Sequence, residues 1–127
     1  MGGVTNRVAL VTGAGSPNGI GFATAKLLKE AGARVAITSI SDRIQDRCDE
    51  LGGSKNEVFA CPADLTEADS VAGLCAQVEE ALGPIEILVN NAGMVQTGRD
   101  EPSGLLHEVT DEKWRYSIDM SLTSAFM

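Results

Sequence analysis

Basic residues are in short supply: 10 Lys and Arg stand against 18 Asp and Glu, a formal charge of −8. With no basic run anywhere, the chain is a poor candidate for binding nucleic acid or an anionic membrane. Cysteine is scarce too. Cys48, Cys61 and Cys75 are too few, and odd in number, for a disulfide framework. One His and no closely spaced Cys pair argue against a dedicated zinc site, so no metal is expected. The three thiols are expected to be reduced and to act as small apolar residues in a cytoplasmic protein. Long hydrophobic runs are missing as well. Residues 8–25 carry no charge, but only Val8, Ala9, Leu10 and Val11 form an apolar core. Thr12, Ser16, Pro17, Asn18 and four glycines break up the rest, which is neither a secretory leader nor a membrane span. No internal repeat or low-complexity tract is found.

What is there reads as one ordinary globular domain. The 127 residues are 43% hydrophobic and 22% charged. Val8-Ala9-Leu10-Val11 ends in a glycine cluster, as expected of a strand buried on both faces. Ile20, Ala23, Leu27 and Ala31 then fall at helical spacing, with Gly32 as the stop. Val35 to Thr38 reads as a second strand. Ile44, Cys48 and Leu51 give a second helix face, ended by Gly52-Gly53, and Val58 to Ala60 a third strand. Thr66 is expected to open a third helix, with Asp69 in capping-box position and Val71, Leu74, Cys75, Val78 and Leu82 as its stripe. Gly83-Pro84 stops it before a fourth strand, Ile85 to Val89. A polar loop is expected from about Met94 to Val109. Thr110 then caps a last helix, with Asp111 and Glu112 where the dipole favours them and Trp114, Ile118, Leu122 and Ala125 as its apolar face.

This alternation predicts an α/β fold: a Rossmann-type, doubly wound parallel sheet with strand order 3-2-1-4 and helices on both sides. Its switch point lies between strands one and four, above their C-terminal ends. Two unusual segments fall there, the glycine cluster Thr12 to Gly21 and Asn90-Asn91-Ala92-Gly93. Glycines let a backbone approach a pyrophosphate, and a helix N-terminus offers free N–H groups to its oxygens. A ligand-free turn would also use glycines, but their place between a strand and a helix favours nucleotide binding.

Thr12-Gly13 with Gly19-Ile20-Gly21, together with Asn90 to Gly93, resembles the short-chain dehydrogenase/reductase family. The resemblance covers residues 1–127 and only about the first half of a typical family domain, so the chain is expected to be the N-terminal, cofactor-binding portion of one domain. The family loop runs TGxxxGxG; this one carries two extra residues, Pro17-Asn18. The resemblance implies cofactor contacts from Gly13, Ser16, Asn18, Gly19 and Ile20 in the loop. It implies adenine contacts from Asp64 and Leu65, a place for Asn91 in the lining of the cofactor cleft, and room for the ribose beside Ala92 and Gly93. Asp64 also reads as a turn residue, and Gly93 as a tight turn.

Cofactor choice depends on the end of strand two. About twenty residues past Gly19 an acid would bind the ribose 2′-OH of NAD, but Ser39 stands there. Arg43 could meet a 2′-phosphate, so NADP is favoured, with NAD as the alternative; Ser41 capping the second helix and a solvated Arg43 is the plainer reading. In the family an Asn seven residues past the Trp joins the proton relay; from Trp114 the count lands on Ser121. Ser121 is carried as a candidate catalytic residue, against the plain reading of a Ser on a helix flank. The family's Ser and its YxxxK pair have no counterpart here: the only Tyr is Tyr116, and Met120 stands four residues on. His107 is expected at the surface, Trp114 in packing and Cys61 buried. The implied activity is carbonyl–alcohol interconversion on a small molecule, a 3-oxoacyl thioester being one such substrate, in a homo-oligomer completed by a C-terminal half. The alternatives are a dinucleotide-binding module without chemistry and, last, another Rossmann-type protein such as a methyltransferase.

Overall fold

The computed structural model describes residues 3–93 and 105–127. Strand β1 (Val8–Val11) leads to helix α1 (Ile20–Glu30), then β2 (Arg34–Ile37), α2 (Ile44–Leu51), β3 (Val58–Ala60), α3 (Ala68–Leu82) and β4 (Ile85–Val89). A short 3-10 turn, Leu106–Glu108, precedes α4 (Asp111–Ile118). A wide π turn, Asp119–Thr123, comes after it, and α5 (Ser124–Phe126) is the last element. The four strands form one parallel sheet in the order β3-β2-β1-β4, as the alternation predicts.

Two cores sandwich the sheet. Val11, Phe22, Ala25, Val35, Ile37 and Ile44 bury together on the side of α1 and α2. Val8, Leu10, Ala36, Leu74, Val78 and Leu82 bury on the side of α3. Adjacent residues of one strand feed opposite cores, because successive side chains alternate across a sheet. Central β1 is therefore buried throughout. Cys61 is buried as expected, and the three cysteines are free. Gly32, Gly52, Gly53 and Gly83 end their helices at positive φ, where a Cβ would be strained.

Several local expectations are corrected. The buried face of α1 is Gly21, Phe22 and Ala25; Ile20 and Leu27 are 79% and 66% exposed. Both stripes have helical spacing, and the close approach of Gly21 to the loop after β1 selects the one that turns inward. Helix α3 starts at Ala68 and not at Thr66, because Asp64 Oδ1 accepts both the N–H (2.9 Å) and the hydroxyl (2.6 Å) of Thr66. That side-chain turn holds Thr66 outside the helix. Ser41 does not cap α2 by its side chain; its carbonyl accepts the Ile44 N–H at 3.2 Å. The last helix is not one regular helix. Its wide turn shifts the phase of the residues beyond it, and Trp114 (57%) and Leu122 (63%) are exposed. Thr110 does cap α4, accepting from Lys113 N at 3.3 Å. Of the expected polar loop, residues 94–104 lie outside the described residues, and His107 is exposed in the 3-10 turn.

Candidate functional site

The C-terminal ends of β1 and β4 are knitted together by side chains. The Thr12 hydroxyl accepts from Asn91 N (3.1 Å) and Ala92 N (2.9 Å) and donates to Val89 O (3.2 Å). The Asn91 amide answers it, donating from Nδ2 to Thr12 O (3.0 Å) and Gly13 O (3.1 Å). Two loops that leave the sheet at the switch point are thus joined through backbone and side-chain polar groups alike. Two glycines make the approach possible. A Cβ on Gly13 (φ +68) would lie 2.7 Å from Ala92 Cα, and one on Gly21 would lie 2.5 Å from Asn91 Nδ2 and 2.8 Å from Gly13 O. Gly13, Asn91 and Ala92 are brought together as a set, with Thr12 and Gly21 as members that motif matching alone does not rank. The signal for Thr12 was available: a polar residue closing an apolar strand must find partners.

Beyond this junction the loop rises into α1. The extra pair is absorbed in a turn closed by Gly19 N to Ser16 O (3.1 Å), with Pro17 and Asn18 exposed at its corners. Pro suits the first corner of such a turn. Gly19 is the N-cap at φ −85, so any residue could take its backbone conformation. Its nearest neighbour is Ser16, whose Oγ would lie 3.6 Å from a Cβ on Gly19. The α1 ladder begins with Ala23 N to Gly19 O (3.1 Å), so the N–H groups of Ile20, Gly21 and Phe22 precede it. No side chain caps this end and no acid stands in its first turn. An uncapped helix start beside a glycine loop favours an anion there.

The ends of β2 and β3 extend the same edge. Ala14 N donates to Thr38 O (3.0 Å), and Ala63 N to Ser39 O (2.9 Å), which aligns three loop starts. A Cβ on Gly15 would lie 2.9 Å from Ser39 Cβ. The Ser39 hydroxyl donates to Ser41 O (3.1 Å), and Arg43 Nε donates to Ser41 Oγ (3.3 Å), so Ser39, Ser41 and Arg43 form one short chain of contacts at the exposed end of β2. Asp64 and Leu65 lie in the loop between β3 and α3. Leu65 is partly buried against the α3-side core. The Thr66 hydroxyl and N–H hold the Asp64 carboxyl below the usual carboxylate range. A lowered folded value means this bond stabilises the fold above the unfolded pKa and is lost as pH falls through the folded one. Thr66→Val is therefore expected to move the Asp64 carboxyl back up. A carboxyl-carbon NMR titration reads this, and an unmoved midpoint would refute it.

The last helix meets the junction from the other side. Asn90 Nδ2 donates to Ala125 O (3.4 Å), and Gly93 sits where a Cβ would be 3.8 Å from Met120 O and 3.9 Å from Ser121 Cα. Ser121 thus lies next to Gly93, exposed, its hydroxyl making no hydrogen bond among the described residues. No helix among the described residues is long and apolar enough to cross a membrane.

Residues 7–127 match the short chain dehydrogenase family. The chain is 39% identical over 117 residues to cis-4-hydroxycyclohexanecarboxylate dehydrogenase of Sinomonas cyclohexanicum, covering 92% of this chain and 44% of that protein. Among solved structures, a variant of actinorhodin polyketide ketoreductase with NADPH superposes with a TM-score of 0.82 at 32% identity, covering 97% of this chain and 45% of that one. A short chain dehydrogenase from Mycobacterium smegmatis gives 0.85 at 31%, covering 99% and 50%. The chain spans about half the length of the curated relatives it matches. Glycine loop, switch-point junction, strand order and these likenesses agree: the chain belongs to the short-chain dehydrogenase family.

Proposed function

We propose that this chain is the cofactor-binding portion of an NAD(P)(H)-dependent oxidoreductase that interconverts a carbonyl and a secondary alcohol. The observation that carries it is the uncapped start of α1, held beside the glycine loop by the Thr12–Asn91 junction. A bound nicotinamide dinucleotide would supply the hydride. The residues of this chain bind and orient. Gly13, Gly19 and Ile20 carry the backbone past the diphosphate, and Ser16 and Asn18 offer side chains at the rim. Asp64 and Leu65 border the adenine. Ala92 and Gly93 leave room for the nicotinamide ribose beside Asn91.

At the far end, Arg43 is steadied by Ser41 and faces no described carboxylate within ion-pairing distance. This supports NADP over NAD, since a free guanidinium suits a 2′-phosphate and repays a charged bond. Arg43→Ala is expected to weaken NADP(H) more than NAD(H), by about 1–3 kcal/mol for a lost charged bond. Fluorescence titration of NADPH and NADH in parallel reads the difference; equal losses would remove this role. Carbonyl reduction also fits the ketoreductase likeness, and a 3-oxoacyl thioester is the first substrate to assay. Ser121 in place of the family Asn favours a second reading, a dinucleotide-binding module without chemistry. NADPH oxidation by the full-length protein with a 3-oxoacyl thioester and with simple ketones separates the two. Tight NADPH binding with no turnover on any carbonyl would favour the module, and absent binding would defeat both. Assembly as a homo-oligomer in the cytoplasm completes the reading, and sedimentation tests the former.

A further inference from the structure

The π turn at Asp119–Thr123 has no breaker to explain it. Residues 111–127 contain neither Gly nor Pro, the usual causes of a helix irregularity. A wide turn holds one more residue than the α ladder and leaves a carbonyl short of its usual N–H donor. Of two neighbouring hydroxyls, one reaches a backbone carbonyl of the turn and the other a side chain. The Ser124 N–H bonds Asp119 O across the wide turn, while its hydroxyl donates to the next carbonyl, Met120 O, at 2.8 Å. The Thr123 hydroxyl donates to the Asp119 carboxylate at 3.0 Å. Back-bonding by Ser and Thr loosens and bends helices. Ser117 makes the same bond to Lys113 O within regular α4, so what sets Ser124 apart is its place, where its own N–H has moved back to Asp119 O. The turn so held is the part of the helix that meets the β4 corner: Gly93 faces Met120 O and Ser121 Cα, and Asn90 reaches Ala125 O.

We propose that Ser124 is a positioning residue, whose hydroxyl holds the wide turn that seats Ser121 against the Asn90–Gly93 corner. If the helix wound as α throughout, one residue would leave the turn. Residues on one side would then rotate by about 100° and slide by about 1.5 Å relative to the other. Ser121 and Ala125 could not both keep their places at the corner. The proposal rests on the oxidoreductase reading only in making Ser121's place matter for turnover.

The test compares Ser124→Ala with Ser124→Thr, which keeps the hydroxyl, in the full-length protein. Crystal structures come first. A regular α-helix with Ser121 moved off Gly93 in Ser124→Ala, and a retained wide turn in Ser124→Thr, is the expected result. An intact wide turn in Ser124→Ala overturns the proposal. In turnover assays kcat should fall between about tenfold and a hundredfold in Ser124→Ala, the cost of misplacing a group by about 1 Å. KM for the cofactor should hold, and Ser124→Thr should recover kcat. Equal losses in both variants, or none, also overturn it. A wild-type protein that reduces no carbonyl removes the oxidoreductase reading instead, and the crystal structures still decide the role of Ser124.

Discussion

Gly21→Ala should be among the most damaging single-methyl changes at the described residues. Its Cβ would enter at 2.5 Å from Asn91 Nδ2 and 2.8 Å from Gly13 O. Neither can give way cheaply. The Asn91 amide is fixed by two carbonyls, and the Gly13 backbone is fixed on the far side by Ala14 N to Thr38 O. Either α1 backs away from the sheet or the junction opens. Overpacking of this kind costs about 1–3 kcal/mol. Both escapes also move the helix start away from the glycine loop, so dinucleotide affinity should fall at least about tenfold, the equivalent of roughly 1.4 kcal/mol. Gly73→Ala is the control. It lies in α3 with no atom within 4 Å of a new Cβ, and Ala should stabilise it by about 0.5–1 kcal/mol. Urea melts with NADPH titrations on the folded fraction distinguish the two. Wild-type stability and affinity in Gly21→Ala would refute the close-approach argument. Gly19→Ala differs: with φ −85 it carries no backbone strain, and its closest neighbour is the Ser16 Cβ at 3.1 Å. Any loss there should appear in binding and not in the melt.

Thr12→Val should be nearly as costly, through a different mechanism. The side chain is 5% exposed and its hydroxyl serves three partners. Val matches the shape and removes all three bonds. Asn91 N keeps a second acceptor in Val89 O at 3.0 Å, whereas Ala92 N has only the Thr12 hydroxyl among the described residues. Leaving that donor unsatisfied costs about 1–3 kcal/mol. Thr12→Ser restores the hydroxyl and loses one methyl, worth about 0.8 kcal/mol. The expected order of stability is therefore wild type, Thr12→Ser, Thr12→Val, read by chemical denaturation. Val equal to Ser would show that the hydroxyl contributes only packing.

The strand order, four strands to within a residue, the glycine stops and the buried Cys61 were legible in the sequence. The elements depend on local chemistry, since apolar runs and glycine stops act within a few residues of each other, and the right-handed crossover rule then orders the strands. So were the two segments that meet at the switch point, because strand order puts them there once the alternation is read. Which face of α1 turns inward was not legible. Ile20 and Leu27 match helical spacing as well as Phe22 and Ala25 do, and the close approach of Gly21 to Gly13 and to Asn91, the latter far along the chain, decides between them. The start of α3 moved because Asp64 and Thr66 compete for the same backbone groups, a contest between turn and helix that spacing alone does not decide. The last helix was legible in its cap and first turn but not in its wide turn, since Ser and Thr hydroxyls are compatible with a regular helix. Sequence by itself determined the strands, their order and the place where the glycine loop and the Asn90–Gly93 segment meet. The tertiary structure decided which glycines are indispensable, because that depends on what a missing Cβ would strike, and those atoms belong to another part of the chain.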